Sequence, residues 1–255
     1  MKDFFKNVLA TVVGIILTFV IMGIFGIMGI IGMVASTEQS KNVEDNSVLV
    51  LNMTGTLSER AESNPFSDIM GKVAKSNGLD DILKAIEKAK DNDKIKGIYI
   101  EAGLFSPDSY ASLQAIRRAL SDFKKSGKWI VAYGDSYTQG VYYLASVADK
   151  LYINPQGQID WHGIAAERMY MKDLMAKFGV KMQVTKVGTY KSATEQFTND
   201  KMSDADREQT TAIINGVWKN VVNEVAASRK LTAAKLNSYA DSLITFASTN
   251  DYVKM

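Results

Sequence analysis

The longest uncharged segment of this chain is the feature that most limits how it can fold. No residue from Asn7 to Thr37 is charged, and Val8–Ala35 is apolar apart from two threonines and several glycines. An α-helix over those 28 residues would be about 42 Å long, which exceeds the roughly 30 Å hydrocarbon core of a bilayer. The segment therefore predicts one membrane-spanning helix that tilts or frays at its ends.

A cleavable signal peptide is the alternative interpretation of the same segment. Signal peptides have apolar regions of only about 7–15 residues, followed by a small-x-small cleavage site. Val34-Ala35-Ser36 is a poor version of such a site. An uncleaved signal anchor is the interpretation that we favour.

The charges that flank the apolar segment predict its orientation. Lys2 and Lys6 precede it, whereas Glu38, Glu44 and Asp45 follow it together with one lysine. Because lysine and arginine concentrate on the cytoplasmic side of membrane helices, we expect the N-terminus in the cytoplasm and the rest of the chain outside. The predicted organisation is a cytoplasmic tip and anchor over 1–36, a polar tether over 37–46 and a folded part over 47–255.

The folded part alternates between strand-like and helix-like patterns. Such alternation predicts an α/β fold with a mostly parallel sheet and right-handed crossovers. The apolar run Val48–Leu51 is typical of a strand that is buried on both faces. The predicted strands are Ser47–Met53, Ile95–Ile100, Lys128–Tyr133, Lys150–Ile153 and Met182–Val187, and the predicted helices are Asp80–Asp91, Ser109–Ser126, Thr138–Ala148, Glu167–Phe178 and Asp204–Ser228.

Composition excludes several classes of function. The chain has no cysteine, which removes disulfides, zinc-thiolate sites and thiol nucleophiles. His162 is its one histidine, so a histidine-rich metal site is excluded, and we expect this side chain to be structural. The net charge of +2 and the lack of a basic stripe make nucleic acid an improbable partner. No cofactor or metal is predicted.

Lys191 lies where the predicted strand Met182–Val187 gives way, after Gly188, to a turn that enters a helix. A lysine that neighbouring side chains partly bury can lose its proton, because burial disfavours the ammonium form. A neutral amine can then activate a serine hydroxyl without any histidine. The alternative is a solvated surface charge, since the chain has 30 lysine and arginine residues.

Four segments of the chain resemble one protein family. They are Gly188–Phe197 around Lys191, Ser136–Ser146, Ala148–Lys150 and Pro155–Gly163. In order and spacing they are similar to the first half of the long-form signal peptide peptidases, also called protease IV, over roughly residues 45–255. Gln196 is a departure, because the family often has proline there.

The resemblance implies a crotonase-like fold and a serine endopeptidase that uses a serine-lysine dyad. Lys191 would be the general base, with Tyr190 among the residues that orient its amine. Gln139 stands where the family's catalytic repeats have the serine, and an amide is not a nucleophile. The segment Ala102–Pro107, expected to be the family's oxyanion loop, has a single glycine. The resemblance therefore implies that the serine comes from a second repeat.

We expect the sequence to hold the first repeat alone, over 47–255, and to be inactive by itself. Asp251–Met255 has no terminating signal and resembles a cut within an element. The predicted protein is a single-pass protein of the bacterial inner membrane that degrades signal peptides and other short hydrophobic peptides. The resemblance also implies a homo-oligomer.

Two other functions stay open from the sequence. One is a catalytically silent, membrane-tethered domain that serves assembly or binding, which the missing serine favours. The other is an acyl-CoA hydratase or isomerase on the same fold, which the apolar segment and the lack of a paired oxyanion motif disfavour.

Overall fold

The computed structural model describes residues 1–37, 43–61 and 76–249, with side chains over 1–29, 43–61 and 77–242. The chain divides into two compact units, Met1–Glu44 and Asp45–Met255. Residues 38–42 of the predicted tether and the segment Asp251–Met255 lie outside the described residues.

The first unit is a single long helix, α1 (Lys2–Thr37). The most apolar 18 residues of its segment Lys2–Gly29 have a mean hydropathy of 2.8, and the segment is long and apolar enough to cross a membrane. None of that segment is buried against other described residues. Its apolar side chains therefore need an apolar environment that the fold itself does not supply.

The second unit is built on one five-stranded sheet, in which each pair of neighbouring strands is parallel and the order is β2-β1-β3-β4-β5. The strands are β1 (Ser47–Ser58), β2 (Ser76–Gly78), β3 (Ile95–Ser106), β4 (Trp129–Gly134) and β5 (Lys150–Ile153). The helices are α2 (Leu79–Asp91), α3 (Tyr110–Lys124), α4 (Gln139–Ala145), α5 (Lys172–Lys177), α6 (Glu195–Thr198), α7 (Asp204–Arg229) and α8 (Ala233–Thr249), with a 3-10 turn at Ser192–Thr194. The predicted α/β architecture is confirmed.

Helix α3 illustrates how local sequence produces these elements. Ser109 caps its first turn by accepting a hydrogen bond from the backbone N–H of Ser112 at 3.2 Å. Its apolar residues recur at helical spacing and are fully buried in the core; they are Leu113, Ile116, Leu120 and Phe123. Helix α7 begins at Asp204 as predicted and ends one residue later than predicted.

The prediction that β1 is buried on both faces is wrong. Leu51 and Met53 are buried in the core, whereas Val48 and Val50 on the opposite face are exposed. The same alternation continues in β4, where Ile130 is buried while the ring of Trp129 is partly exposed. The apolar run at the start of β1 therefore does not correspond to two covered faces.

The segment Ala102–Pro107, expected to be a loop, is largely the end of β3, which continues to Ser106. It pairs with β1, where a bulge lies between Met53 and Gly55. Gly103 meets β1 so closely that a Cβ atom there would lie 2.5 Å from Thr54 Cγ2. The close contact between β3 and β1 therefore explains why residue 103 is a glycine. The residue is not part of a glycine-rich loop.

The segment before Lys191 also differs from prediction. Met182–Val187 is irregular backbone and not a strand, and the predicted helix Glu167–Phe178 is reduced to α5. No residue of α5 is buried, and Val187 is 85 % exposed. The alternating pattern of Met182–Val187 lacks a neighbouring strand to pair with in the described part of the chain.

Candidate active site

Lys191 lies on a turn that the preceding glycine shapes. Gly188 has a φ of +96°, a left-handed conformation that glycine adopts without steric cost. Lys191 is exposed and lies immediately before the 3-10 turn at Ser192–Thr194. The partial burial expected for this lysine is not found.

Lys191 lines an open concavity of about 560 Å³. Its lining also contains Thr185, Lys186, Val187, Tyr190, Ser192, Ala193 and Thr194. Among the described residues, the Lys191 amine has no hydrogen-bond or ion-pair partner, whereas Lys186 Nζ lies 3.5 Å from Glu195 Oε1. Lys191 is therefore the lysine of this concavity whose amine is free to contact a group brought from outside.

A buried acid lies four residues after Lys191. Glu195 is 2 % exposed. Both oxygens of its carboxylate accept hydrogen bonds from Ser203. Ser203 Oγ donates to Oε1 at 2.9 Å, and the Ser203 backbone N–H donates to Oε2 at 3.3 Å. Ser203 is also the N-cap of α7. The Lys191 segment is thus attached to the start of a long helix.

Tyr190, expected to orient the Lys191 amine, contacts a different group. Its hydroxyl donates to Glu208 Oε2 at 2.9 Å, on the first turns of α7. That hydrogen bond to a carboxylate raises the pKa of Tyr190. Tyr190 precedes Lys191 in the sequence, whereas Glu195 follows it. The turn is therefore bonded to α7 on both sides of Lys191.

Gln139 is the first residue of α4 and is 4 % exposed. Its Oε1 accepts hydrogen bonds from the backbone N–H groups of His162 and Gly163 at 3.0 and 2.9 Å. Its Nε2 donates to Tyr110 Oη at 2.8 Å and to the Gly163 carbonyl at 2.9 Å. Both N–H groups and the oxygen of the carboxamide are therefore bonded to other residues of the protein. Sequence analysis placed this residue at the nucleophile position but did not reveal this structural role.

Gln139 lines another concavity, of about 370 Å³, together with His162 and Asp160. His162 Nε2 lies 3.3 Å from Asp160 Oδ2, and half of the histidine side chain is exposed. The backbone N–H of His162 is bonded to Gln139 Oε1 as well. This arrangement agrees with a structural histidine.

The described part of the chain thus combines a parallel α/β sheet with an exposed lysine that lines an open concavity. Comparison with known proteins identifies the family. The model of Peptidase family S49 matches residues 122–251, which is half of the chain. The chain belongs to Peptidase family S49.

Curated relatives carry protease names. The chain is 37 % identical over 204 residues to Protease 4 of Salmonella typhi, covering 77 % of this chain and 33 % of that protein. It is 34 % identical to Protease 4 of Haemophilus influenzae, with 76 % and 32 % covered. It is 25 % identical to the chloroplastic serine protease SPPA of Arabidopsis thaliana, with 73 % and 26 % covered. The chain spans about a third of the length of the curated relatives that it matches.

Two solved structures are distantly similar. One is an enoyl-CoA hydratase/isomerase family protein from Silicibacter pomeroyi, with a TM-score of 0.31, 14 % identity and coverage of 80 % of this chain and 97 % of that one. The other is a probable enoyl-CoA hydratase from Mycobacterium smegmatis, with a TM-score of 0.24, 14 % identity and coverage of 69 % and 77 %. Similarity at this level carries no information about activity.

Proposed function

We propose that this chain is the lysine-contributing part of a membrane-anchored serine endopeptidase that degrades signal peptides and other short hydrophobic peptides. The observation that carries the proposal is the Lys191 amine, which lines an open concavity and has no partner among the described residues. Membership of Peptidase family S49 supports the reaction class.

In the proposed reaction, Lys191 takes the proton from a serine hydroxyl as that oxygen attacks the peptide carbonyl carbon. The lysine then returns the proton to the leaving amine as the peptide bond breaks. The serine belongs to a second repeat, on the same polypeptide or on another chain.

Exposed apolar side chains in the stretch that precedes Lys191 support docking of such a partner. Met169, Phe178 and Val187 are large apolar residues, and Phe178 is 77 % exposed. They lie with α5 in a stretch that buries little against the rest of the described fold. Exposed apolar side chains of this kind are typical of interaction sites, so we include assembly with a second repeat or with further copies of the chain in the proposal.

The proposed position of the enzyme rests on α1. Its apolar length suits a membrane anchor, and Lys2 and Lys6 at its start favour a cytoplasmic N-terminus. The proposed location is the bacterial inner membrane, with the peptidase part on the extracytoplasmic side. An anchored site beside the bilayer suits hydrophobic peptides that are released there.

Replacement of Lys191 tests the proposal. In the complete gene product that contains these residues, Lys191→Ala should lower kcat/KM for a fluorogenic signal-peptide substrate by about 10²–10⁴-fold, the usual contribution of general acid-base catalysis. Lys201→Ala is the matched control, since Lys201 is exposed and should leave the rate unchanged. Full activity of Lys191→Ala would remove this lysine from the mechanism.

A catalytically silent domain for assembly or binding is the second candidate. The bonding of Gln139 favours it, because the residue at the family's nucleophile position is buried and fully engaged. A fluorophosphonate probe, which reacts with activated serines, separates the candidates. We expect no labelling of the 255-residue chain alone and strong labelling of a two-repeat protein; absence of labelling in both would favour the silent domain.

A further inference from the structure

The segment that carries Lys191 is closed at its base by an ion pair. Lys186 precedes Lys191 by five residues and Glu195 follows it by four, and their side chains meet at 3.5 Å. Lys191 therefore lies near the middle of a short loop whose two ends are joined. We refer to Lys186, Glu195 and Ser203 together as the clamp.

Glu195 is the central member of the clamp. Its carboxylate contacts the loop's first end through Lys186 and the N-cap of α7 through two bonds from Ser203. Its backbone also contributes, because its N–H donates to the Ser192 carbonyl and its carbonyl accepts from the Asn199 N–H at 2.8 Å. One buried residue thus connects the loop, the 3-10 turn and α7.

A buried carboxylate is stable only when other groups compensate its charge. The Glu195 side chain is 3 % exposed, so the arrangement that supplies all three contacts is strongly preferred over others. The loop conformation in which these three contacts form is therefore also strongly preferred over other loop conformations. The clamp therefore restricts where the Lys191 backbone lies, while the Lys191 side chain stays free to contact a reacting group.

We propose that Glu195 is a positioning residue for Lys191, which holds the loop so that the amine meets the serine hydroxyl in a reactive geometry. This inference rests on the proposed function. A displacement of about 1 Å in a catalytic group can cost on the order of 10²-fold in rate. Loss of the clamp should therefore act on kcat, because Glu195 itself lies away from the open surface that a substrate could reach.

The chain offers a matched control for Glu195 at the start of α7, the helix that Ser203 caps. Asp206 lies on the first turn of α7, is fully buried and forms an ion pair with Arg168 at 3.0 Å. It shares burial and charge with Glu195, and among the described residues its side chain pairs with Arg168 and not with Lys186. Its contact with the clamp is a backbone one, the N–H bond to Ser203 Oγ at 3.2 Å, which Asp206→Asn keeps. Removing its charge should lower stability without moving the Lys191 loop.

The experiment compares these variants in the complete gene product, with kcat, KM and Tm measured for each. Glu195→Ala removes every side-chain contact of the clamp and should lower kcat by about 10²-fold with KM within about twofold. Glu195→Gln keeps an acceptor for Ser203 and should recover part of that loss. Lys186→Ala breaks the ion pair alone and should give an intermediate kcat. Asp206→Asn should lower Tm but leave kcat within about twofold.

Several outcomes would overturn the inference. If Asp206→Asn lowers kcat as much as Glu195→Ala, the effect is general loss of stability and not positioning. If Glu195→Gln, Glu195→Ala and Lys186→Ala all keep wild-type kcat while Lys191→Ala is inactive, the clamp has no role but the proposed function stands. If Lys191→Ala is itself active, the proposed function fails. Should Glu195→Ala not fold, Glu195→Gln and Lys186→Ala still decide the question.

Discussion

At the scale of single residues, Gln139 stands at the position of the family's catalytic serine but has a structural role. The carboxamide joins the start of α4 to the turn at His162 and Gly163 through three hydrogen bonds and to the Tyr110 hydroxyl on α3 through a fourth. Two consecutive backbone N–H groups that converge on one oxygen form an arrangement that also binds anions. Here a side chain of the same protein occupies it, which closes this position to a substrate oxygen.

Replacement of Gln139 should therefore act on stability. Gln139→Ala leaves the His162 and Gly163 N–H groups without their acceptor, at a cost of about 2–4 kcal/mol in the free energy of unfolding. Thermal unfolding followed by circular dichroism should show a Tm lower by roughly 5–10 °C. Gln156→Ala is the matched control, because Gln156 is exposed. A Tm equal to that of the control would show that the four bonds contribute little.

At the scale of elements, a buried arginine joins three helices. Arg117 on α3 donates to the Tyr143 carbonyl and to Ser146 Oγ at the end of α4, the latter at 2.7 Å. It also donates to the Glu224 carbonyl on α7 at 2.9 Å, and its Nε lies 3.2 Å from Glu224 Oε2. The Tyr143 hydroxyl donates to the same carboxylate. Burial, and then that bond, raise the pKa of Tyr143, so it stays protonated as a donor.

The helix contacts should depend on Arg117. Arg117→Met keeps most of the volume but leaves several acceptors and the partly buried Glu224 without their partner, so we expect about 3 kcal/mol of lost stability. Chemical denaturation measures the loss. Arg118→Met is the matched control, since Arg118 is the exposed neighbour on the same helix. If both variants unfold at the same denaturant concentration, the junction is not important for stability.

At the scale of the whole molecule, the two units differ in what they need from their surroundings. The Asp45–Met255 unit buries its own core, whereas Lys2–Gly29 of α1 has no buried part. A helix of that kind is stable in hydrocarbon, because all of its interior backbone groups are bonded within the helix. The length and composition of α1 are compatible with a membrane anchor.

The anchor makes a prediction that separates it from a cleaved signal peptide. An epitope tag placed before Met1 should remain on the protein in membranes washed with alkaline carbonate, and alkaline phosphatase fused after Met255 should be active outside the cytoplasm. The same fusion lacking the segment 7–37 is the control and should lose both properties. Loss of the tag from the mature protein would support the signal-peptide alternative.

Local patterns in the sequence were sufficient for much of the fold. The core stripe of α3, the bounds of α7 and the parallel α/β architecture all follow from apolar spacing and capping residues, which depend on neighbours within a few positions. Lys191 was singled out through a motif; it lines an open concavity and is exposed, and its role as a base stays a prediction.

The sequence by itself determined most of the elements and the apolar helix, because these depend on short-range periodicity and on residue type, whereas Lys191 was singled out by its resemblance to a family motif. Only the tertiary structure decided which face of β1 is covered, that Met182–Val187 is irregular, and that Glu195 and Gln139 are buried and bonded. Alternation shows which side chains share a face, but burial depends on what packs against that face from distant parts of the chain. The clamp beneath Lys191 is of this second kind, since Ser203 and Lys186 meet Glu195 only once the chain has folded.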